Sequence, residues 1–294
     1  MGDAHVTAQD GTLVVAPASA EEISEVLKLA SREGWTVLPA GGMTWLRSKA
    51  DLIVNTSRLN GTIEHEPADL IAIAQAGVRL VDLNAKLAEN GQWLPLDPPD
   101  DGRATIGGVV ATGLGGPQQF GYGRPRNSVI GMKVVLADGS LIKAGGRVVK
   151  NVAGYDLCKL FTGSFGSLGI ITEVNFKLRP RPAREATVIA TGTVEDLRKI
   201  ARLFPVAACE DGDMLFVRFA GNEKGVAYQI EQARALLKNA DVVMNDTDLW
   251  KKIAATWEKP ITQPGEAEKS LMQRIKNQLD PLGTLPNIFN GQKP

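Results

Sequence analysis

The sequence predicts an α+β protein in two parts, residues 1–180 and 181–294, and three observations carry that expectation. At 294 residues the chain is long enough for two cores. Its 31 glycines cluster at 41–42, 107–123, 145–146 and 163–169, and the clusters end before residue 180. Beyond Arg179-Pro-Arg-Pro-Ala-Arg184, which reads as a linker that breaks helix and strand alike, strands and helices of ordinary composition alternate.

The elements follow from spacing and punctuation. Ser19-Ala-Glu-Glu22 is a capping box, Ile23, Val26, Leu27 and Ala30 recur at helical spacing, and Gly34 closes the helix. A strand predicted at Trp35–Leu38 runs into Pro39-Ala-Gly-Gly-Met-Thr44. Strands follow at Leu52–Val54 and Leu70–Gln75, then a helix from Leu80 to Glu89. Trp93-Leu-Pro-Leu-Asp-Pro-Pro-Asp-Asp101 is extended because each proline disfavours helix in the residue before it. Two apolar runs around Asp138-Gly139 predict a hairpin, and Gly169–Leu178 is the last strand of this part. In the second part, strands at 186–192, 214–220 and 240–244 alternate with helices. Those helices are capped at Thr193, or built on Val226, Ile230, Ala233 and Leu237, or on Leu249, Ile253 and Trp257. The order predicts an open sheet with helices on one face. Residues 277–294 show little helical character.

Composition excludes several function classes. Lys and Arg number 33, as do Asp and Glu, so the chain lacks the basic excess that nucleic acid or an anionic membrane would demand. No apolar run approaches a membrane span, and no signal segment is visible at the start, so the expected location is cytoplasmic, with membrane association only through partners. Two cysteines, Cys158 and Cys209, make neither a disulfide framework nor an iron–sulfur ligand set.

Clustered glycines point to backbone that something approaches closely. Residues 39–44 follow a strand and expose consecutive N–H groups, a nest suited to a pyrophosphate; a plain turn is the alternative. No GxGxxG opens a helix and no GxxxxGK[ST] occurs. Ala104-Thr-Ile-Gly-Gly-Val-Val-Ala-Thr-Gly113 adds N–H groups and a hydroxyl. Gly163-Ser-Phe-Gly-Ser-Leu-Gly-Ile-Ile-Thr-Glu173 ends in a strand-like run.

These three segments, in this order, resemble the vanillyl-alcohol oxidase / p-cresol methylhydroxylase (PCMH-type) flavoproteins, and within them the FAD-binding subunits of bacterial glycolate oxidase. The resemblance is strong over about residues 10–180. It implies a PCMH-type FAD-binding domain of two α/β subdomains, followed by a smaller α+β domain for substrate or partner. It implies that FAD is bound through Ala40, Gly41, Gly42, Met43 and Thr44, through Pro99, Thr105, Gly107, Gly108, Ala111 and Thr112, and through Gly163, Gly166, Gly169, Ile170 and Ile171. Lys150, Asn151 and Tyr155 are then the candidates for the flavin's reactive side, with Lys159 a further cation near it. The family more often has Glu where Phe165 stands, and Phe165 is expected to be core packing. So is Cys158. Arg124 and Arg126 suit either a phosphate or a solvated loop.

Histidine sharpens the expectation. Only His5 and His65 occur. Met43 occupies the place from which some relatives link FAD covalently through histidine, so non-covalent FAD is expected. Residues 66–294 contain no imidazole for a base or a metal ligand, and no metal is expected. The resemblance therefore implies a subunit acting on glycolate or a similar small 2-hydroxy acid such as D-lactate. Its partners would be a related FAD-containing catalytic subunit and an iron–sulfur subunit. A self-sufficient dehydrogenase and a non-catalytic flavin-fold partner remain alternatives.

Overall fold

A computed structural model describes residues 5–9, 11–44, 49–61, 63–146, 156–256 and 265–287. Lys150, Asn151, Tyr155 and Trp257 lie outside the described residues.

Two sheets build the first part. The smaller has four strands in the order Val6–Gln9, Thr12–Val15, Leu52–Asn55, Val37–Ala40. Its last three strands are parallel. The helix Ala20–Glu33 covers it, capped by the Ser19 hydroxyl, which accepts from the Glu22 amide, and ended by Gly34 in the left-handed conformation. Ile23, Leu27, Val37, Leu52 and Val54 form the core between them. The strand toward loop 39–44 begins two residues later than the sequence suggests, at Val37, and it includes Pro39. Proline is tolerated there because this strand is the sheet's edge.

The larger sheet is antiparallel, in the order Ile63–Glu66, Ile71–Gln75, Ile170–Lys177, Val129–Val135, Leu141–Gly145. The apolar run ending the third glycine segment therefore lies mid-sheet. Ile170 and Ile171 are buried in the two cores. The helices Leu80–Ala88 and Ile106–Thr112 pack on this sheet through Leu83, Leu87, Ile106 and Val110.

The linker expectation needs correction. Arg179–Pro180 is a short strand paired with Gln92–Trp93, and the Arg181 amide donates to Gly91 O at 2.8 Å. The pairing is short and lies at an edge, where proline is tolerated.

The second part holds an antiparallel sheet in the order Ala207–Asp211, Met214–Gly221, Arg184–Thr191, Lys238–Met244. Ala186, Val188, Ala190, Leu215, Val217 and Phe219 face the helices Val194–Ile200 and Glu223–Leu236. Helices on one face only is a second correction. The helix Thr247–Thr256 reaches the opposite face, where Trp250 Nε1 donates to Thr187 Oγ1 at 2.8 Å and Arg218 lies over the indole. Strand alternation puts Thr187 and Arg218 on that face.

A third correction concerns the tail. The helix Glu266–Leu279 extends into the stretch that reads as non-helical, and its Ile275 and Leu279 pack against the core of the first part. Leu285 is buried under the smaller sheet.

Candidate functional site

One cleft gathers all three glycine segments. It is lined by Pro39 to Thr44, by Pro98, by Ala104, Thr105, Gly108, Val109, Ala111 and Thr112, and by Phe165 and Gly166. Segments separated by about 60 residues of chain converge because the first follows a strand of the smaller sheet, the second is a helix packed on the larger sheet and the third leads into a strand of that sheet.

The first wall lies directly on the second. A Cβ at Gly41 would stand 2.1 Å from Thr105 Oγ1, and one at Gly42 would stand 1.9 Å from Arg103 O. Only glycine permits that approach. Met43 follows with φ of 51°, in the left-handed region. Among the described residues, the N–H groups of Gly42, Met43 and Thr44 have no hydrogen-bond partner. Consecutive amides left without a protein acceptor can serve an anionic group.

The second wall differs. The amides of Ile106 and Gly107 donate to Val78 O and Ala76 O, both at 2.8 Å. The Gly108 amide donates to Thr105 Oγ1 at 3.3 Å, and Val109 N donates to Thr105 O at 2.9 Å. Thr105 is thus the N-cap of the helix Ile106–Thr112, and its hydroxyl serves the protein. Thr112 Oγ1 donates to Gly108 O at 2.8 Å. What this wall offers the cleft is a smooth surface of small groups.

The third wall is strapped to the second: Gly163 N donates to Val110 O at 3.0 Å and Phe165 N to Ala111 O at 2.7 Å. Phe165 is half-buried, lines the cleft and has φ of 54°, so the expectation of plain core packing is corrected. Gly166, with φ of 74°, places its α-carbon against Pro39.

Of the residues expected to hold the cofactor, Ala40, Gly41, Gly42, Met43, Thr44, Thr105, Gly108, Ala111, Thr112 and Gly166 line this cleft. Pro99, Gly107, Gly163, Gly169, Ile170 and Ile171 do not; Pro98 lines it in place of Pro99. Gly107 packs on Ala76 and Gly169 on Val134, where any side chain would collide. Lys159 is exposed and paired with Asp156 at 2.9 Å, which answers its charge locally. Arg124 and Arg126 are exposed. Cys158 is buried, and burial pushes its thiol up to about 11, away from redox or nucleophilic use. His65 shares a hydrogen bond with Gln92 in the larger sheet's edge, at 2.9 Å.

Sequence reasoning passed over Asp97. Its carboxylate accepts from the Gln118 amide at 3.0 Å, and its own amide donates to Gly115 O at 3.1 Å. Burial pushes the carboxyl up to about 7, opposed by the Gln118 hydrogen bonds and by Arg218 of the second part. Pro98, its neighbour, lines the cleft. No sequence signal marks Asp97, because its environment comes from Gln118 and Arg218, 21 and 121 positions away.

The two parts meet nearby. Gly121 N donates to Val206 O at 3.1 Å, and the Tyr122 ring is edge-on to Trp93, 5.5 Å away, with Arg179 over its face. Arg218 pairs with Glu185 at 2.7 Å in a largely buried contact. Burial pushes the Tyr122 phenol up to about 12, which keeps it a neutral group.

Comparison with known proteins places these features. Residues 12–145 match the model of the FAD binding domain family. The glycolate oxidase subunit GlcD of Bacillus subtilis is 37% identical over 182 residues, which is 60% of this chain and 39% of that protein. The glycolate oxidase subunit GlcE of Escherichia coli is 36% identical over 189 residues, 62% of this chain and 53% of the relative. The D-lactate dehydrogenase of Archaeoglobus fulgidus is 36% identical over 196 residues, 64% and 44% of the two chains. The chain thus spans about half, or less, of the length of these curated relatives. Among solved structures, an alkyldihydroxyacetonephosphate synthase matches with a TM-score of 0.69 at 20% identity, covering 82% of this chain and 54% of the other. A chitooligosaccharide oxidase matches with 0.66 at 16%, covering 86% and 62%. At such identities the likeness shows the fold, that of PCMH-type flavoproteins.

Proposed function

From the match of residues 12–145 to the FAD binding domain family, we propose that this chain is the FAD-binding subunit of a complex that oxidises glycolate, or a similar small 2-hydroxy acid, to the 2-oxo acid. The observation that carries the reading is the convergence of loop 39–44, helix Ile106–Thr112 and turn 163–166 on one cleft. The relatives supply the substrate class: their names give glycolate, D-lactate and D-2-hydroxyglutarate oxidation.

The residues present suit FAD. A diphosphate needs hydrogen-bond donors without competing carboxylates; the amides of Gly42, Met43 and Thr44 are such donors, and among the described residues no Asp or Glu lines the cleft. When bound, FAD supplies a two-electron acceptor for the hydride leaving the substrate carbon. The chain's own part is to hold the diphosphate on loop 39–44 and to wall off water with Val109, Ala111 and Phe165. Met43, with no nucleophilic nitrogen, favours non-covalent attachment. Lys150, Asn151 and Tyr155 are proposed to face the flavin's reactive side.

A related FAD-containing subunit and an iron–sulfur subunit are the proposed partners. The absence of histidine from residues 66–294 favours substrate chemistry completed on another chain over a self-sufficient dehydrogenase. Purified chain should release intact FAD on acid precipitation, and should reduce a dye with glycolate or D-lactate only when co-purified with such partners. Rapid turnover by the single chain would favour the self-sufficient dehydrogenase. Failure to retain any flavin would leave only a structural partner.

A further inference from the structure

The most enclosed charged group among the described residues lies far in sequence from the cleft and touches its third wall. Lys276, on the helix Glu266–Leu279, has a side chain 3% exposed, and its partner Asp280 is 0% exposed. The Lys276 ammonium donates to the Asp280 carboxylate, to Ser167 O at 2.8 Å and to Leu285 O at 3.1 Å. Three donors meet three acceptors, so the buried charge is fully answered. Asp280 in turn accepts from the amides of Thr284 at 2.9 Å and Leu285 at 2.8 Å.

Both ends of this network adjoin segments that line the cleft. Ser167, 1% exposed, follows Gly166 of the third wall, and its hydroxyl closes the turn by donating to Ser164 O at 2.6 Å. At the other end, Thr284 O accepts from Val37 N at 2.7 Å. Val37 begins the strand that delivers loop 39–44. Ile275, Leu279 and Leu285 meanwhile pack into the cores of the first part. Residues 265–287 thus grip the first and third walls together, after the whole second sheet has intervened in the chain.

We propose that residues 265–287 are a clasp on the flavin cleft and that Lys276 is a positioning residue, its ammonium holding the Ser167 carbonyl and thereby setting the Phe165–Gly166 turn that walls the cofactor. The proposal rests on the reading of the cleft as the FAD site.

Two measurements test it. The double variant Lys276→Met/Asp280→Leu removes both buried charges and so avoids leaving either one unpaired. It is expected to keep the parent's circular dichroism and to lose FAD affinity at least tenfold. An unchanged Kd for FAD overturns the clasp. Hydrogen exchange on the unmodified chain, with and without added FAD, covers the case of a variant that does not fold. Peptides spanning 163–169 and 265–287 should both gain protection, while those of the strands Ala207–Asp211 and Lys238–Met244 should not. FAD that binds and protects 163–169 but not 265–287 overturns the clasp alone. No FAD binding by the unmodified chain overturns the reading of the cleft, and the clasp with it.

Discussion

Gly41-Gly42 and Gly107-Gly108 are the same dipeptide on adjoining walls of one cleft, and their backbone amides meet opposite fates. Those from Gly42 to Thr44 have no partner among the described residues, whereas Gly107 and Gly108 donate to Ala76 O and to Thr105 Oγ1. In the first pair the missing side chains let a loop lie on Arg103 and Thr105. In the second, Gly107 lets a helix start close to Ala76, and its donors are consumed by the start itself. Glycine pairs therefore mark close backbone approach; whether the approach serves a ligand or the fold depends on where the N–H groups point.

Gly42→Val tests the first wall most severely. Its Cβ would sit 1.9 Å from a backbone oxygen that cannot swing away, so the loop must move as a whole. FAD affinity should fall by roughly 100-fold or more, with a clear drop in melting temperature, since both the donors and the loop packing are lost. Titration by flavin fluorescence and a thermal melt read the two effects separately. A variant that melts early yet binds FAD normally would detach loop 39–44 from the cofactor.

Gly108→Val sharpens the contrast. Its Cβ meets only Thr105 Oγ1 at 3.2 Å, so the side chain would extend into the cleft and not into the protein. FAD affinity should fall by about 10-fold while the melt shifts little, because valine costs a helix only about 0.5 kcal/mol relative to the best residues. Equal losses of stability in the Gly42 and Gly108 variants would erase the distinction between the walls.

Asp97→Asn addresses the carboxylate behind Pro98. Native Asp97 titrates near 7, above an unfolded aspartate at about 4, so the native state holds the proton more tightly. That stabilisation is complete below about pH 4 and is lost as pH rises toward 7. Asparagine keeps an acceptor for the Gln118 amide and removes the charge. The variant should be more stable than the parent by ~4 kcal/mol above pH 7, with the difference fading toward pH 4. Melts across that range check it, and an offset independent of pH would mean that Asp97 is not the titrating group.

Thr105→Ala carries the smallest effect. It removes the cap of the helix Ile106–Thr112 and should cost about 1 kcal/mol of stability, with FAD affinity changed no more than a few-fold. A large loss of FAD at normal stability would mean that the hydroxyl serves the cofactor after all.

Local signals in the chain were enough to read many of the elements and most of the cleft. Caps such as Ser19 and Thr193, the Asp138-Gly139 turn and the apolar periods are local signals, and local hydrogen bonds and side-chain spacing decide them. The glycine clusters were legible for the same reason: a residue without Cβ has few uses other than tight turns and close approach. Tertiary structure alone decided the rest. Whether Gly108 N faces a ligand or Thr105, whether Phe165 fills a core or lines a cleft, and why Asp97 holds its proton near neutral pH all depend on partners distant in sequence. Arg179–Pro180 pairs with Gln92–Trp93 because an edge happened to lie beside it. Lys276 reads as one more lysine on an amphipathic helix until the fold brings Ser167 to its ammonium, 109 residues away along the chain. Contacts of that range have no periodicity to read; they exist only once the sheets have brought the segments together, because burial and electrostatic environment belong to the packed structure and not to the chain.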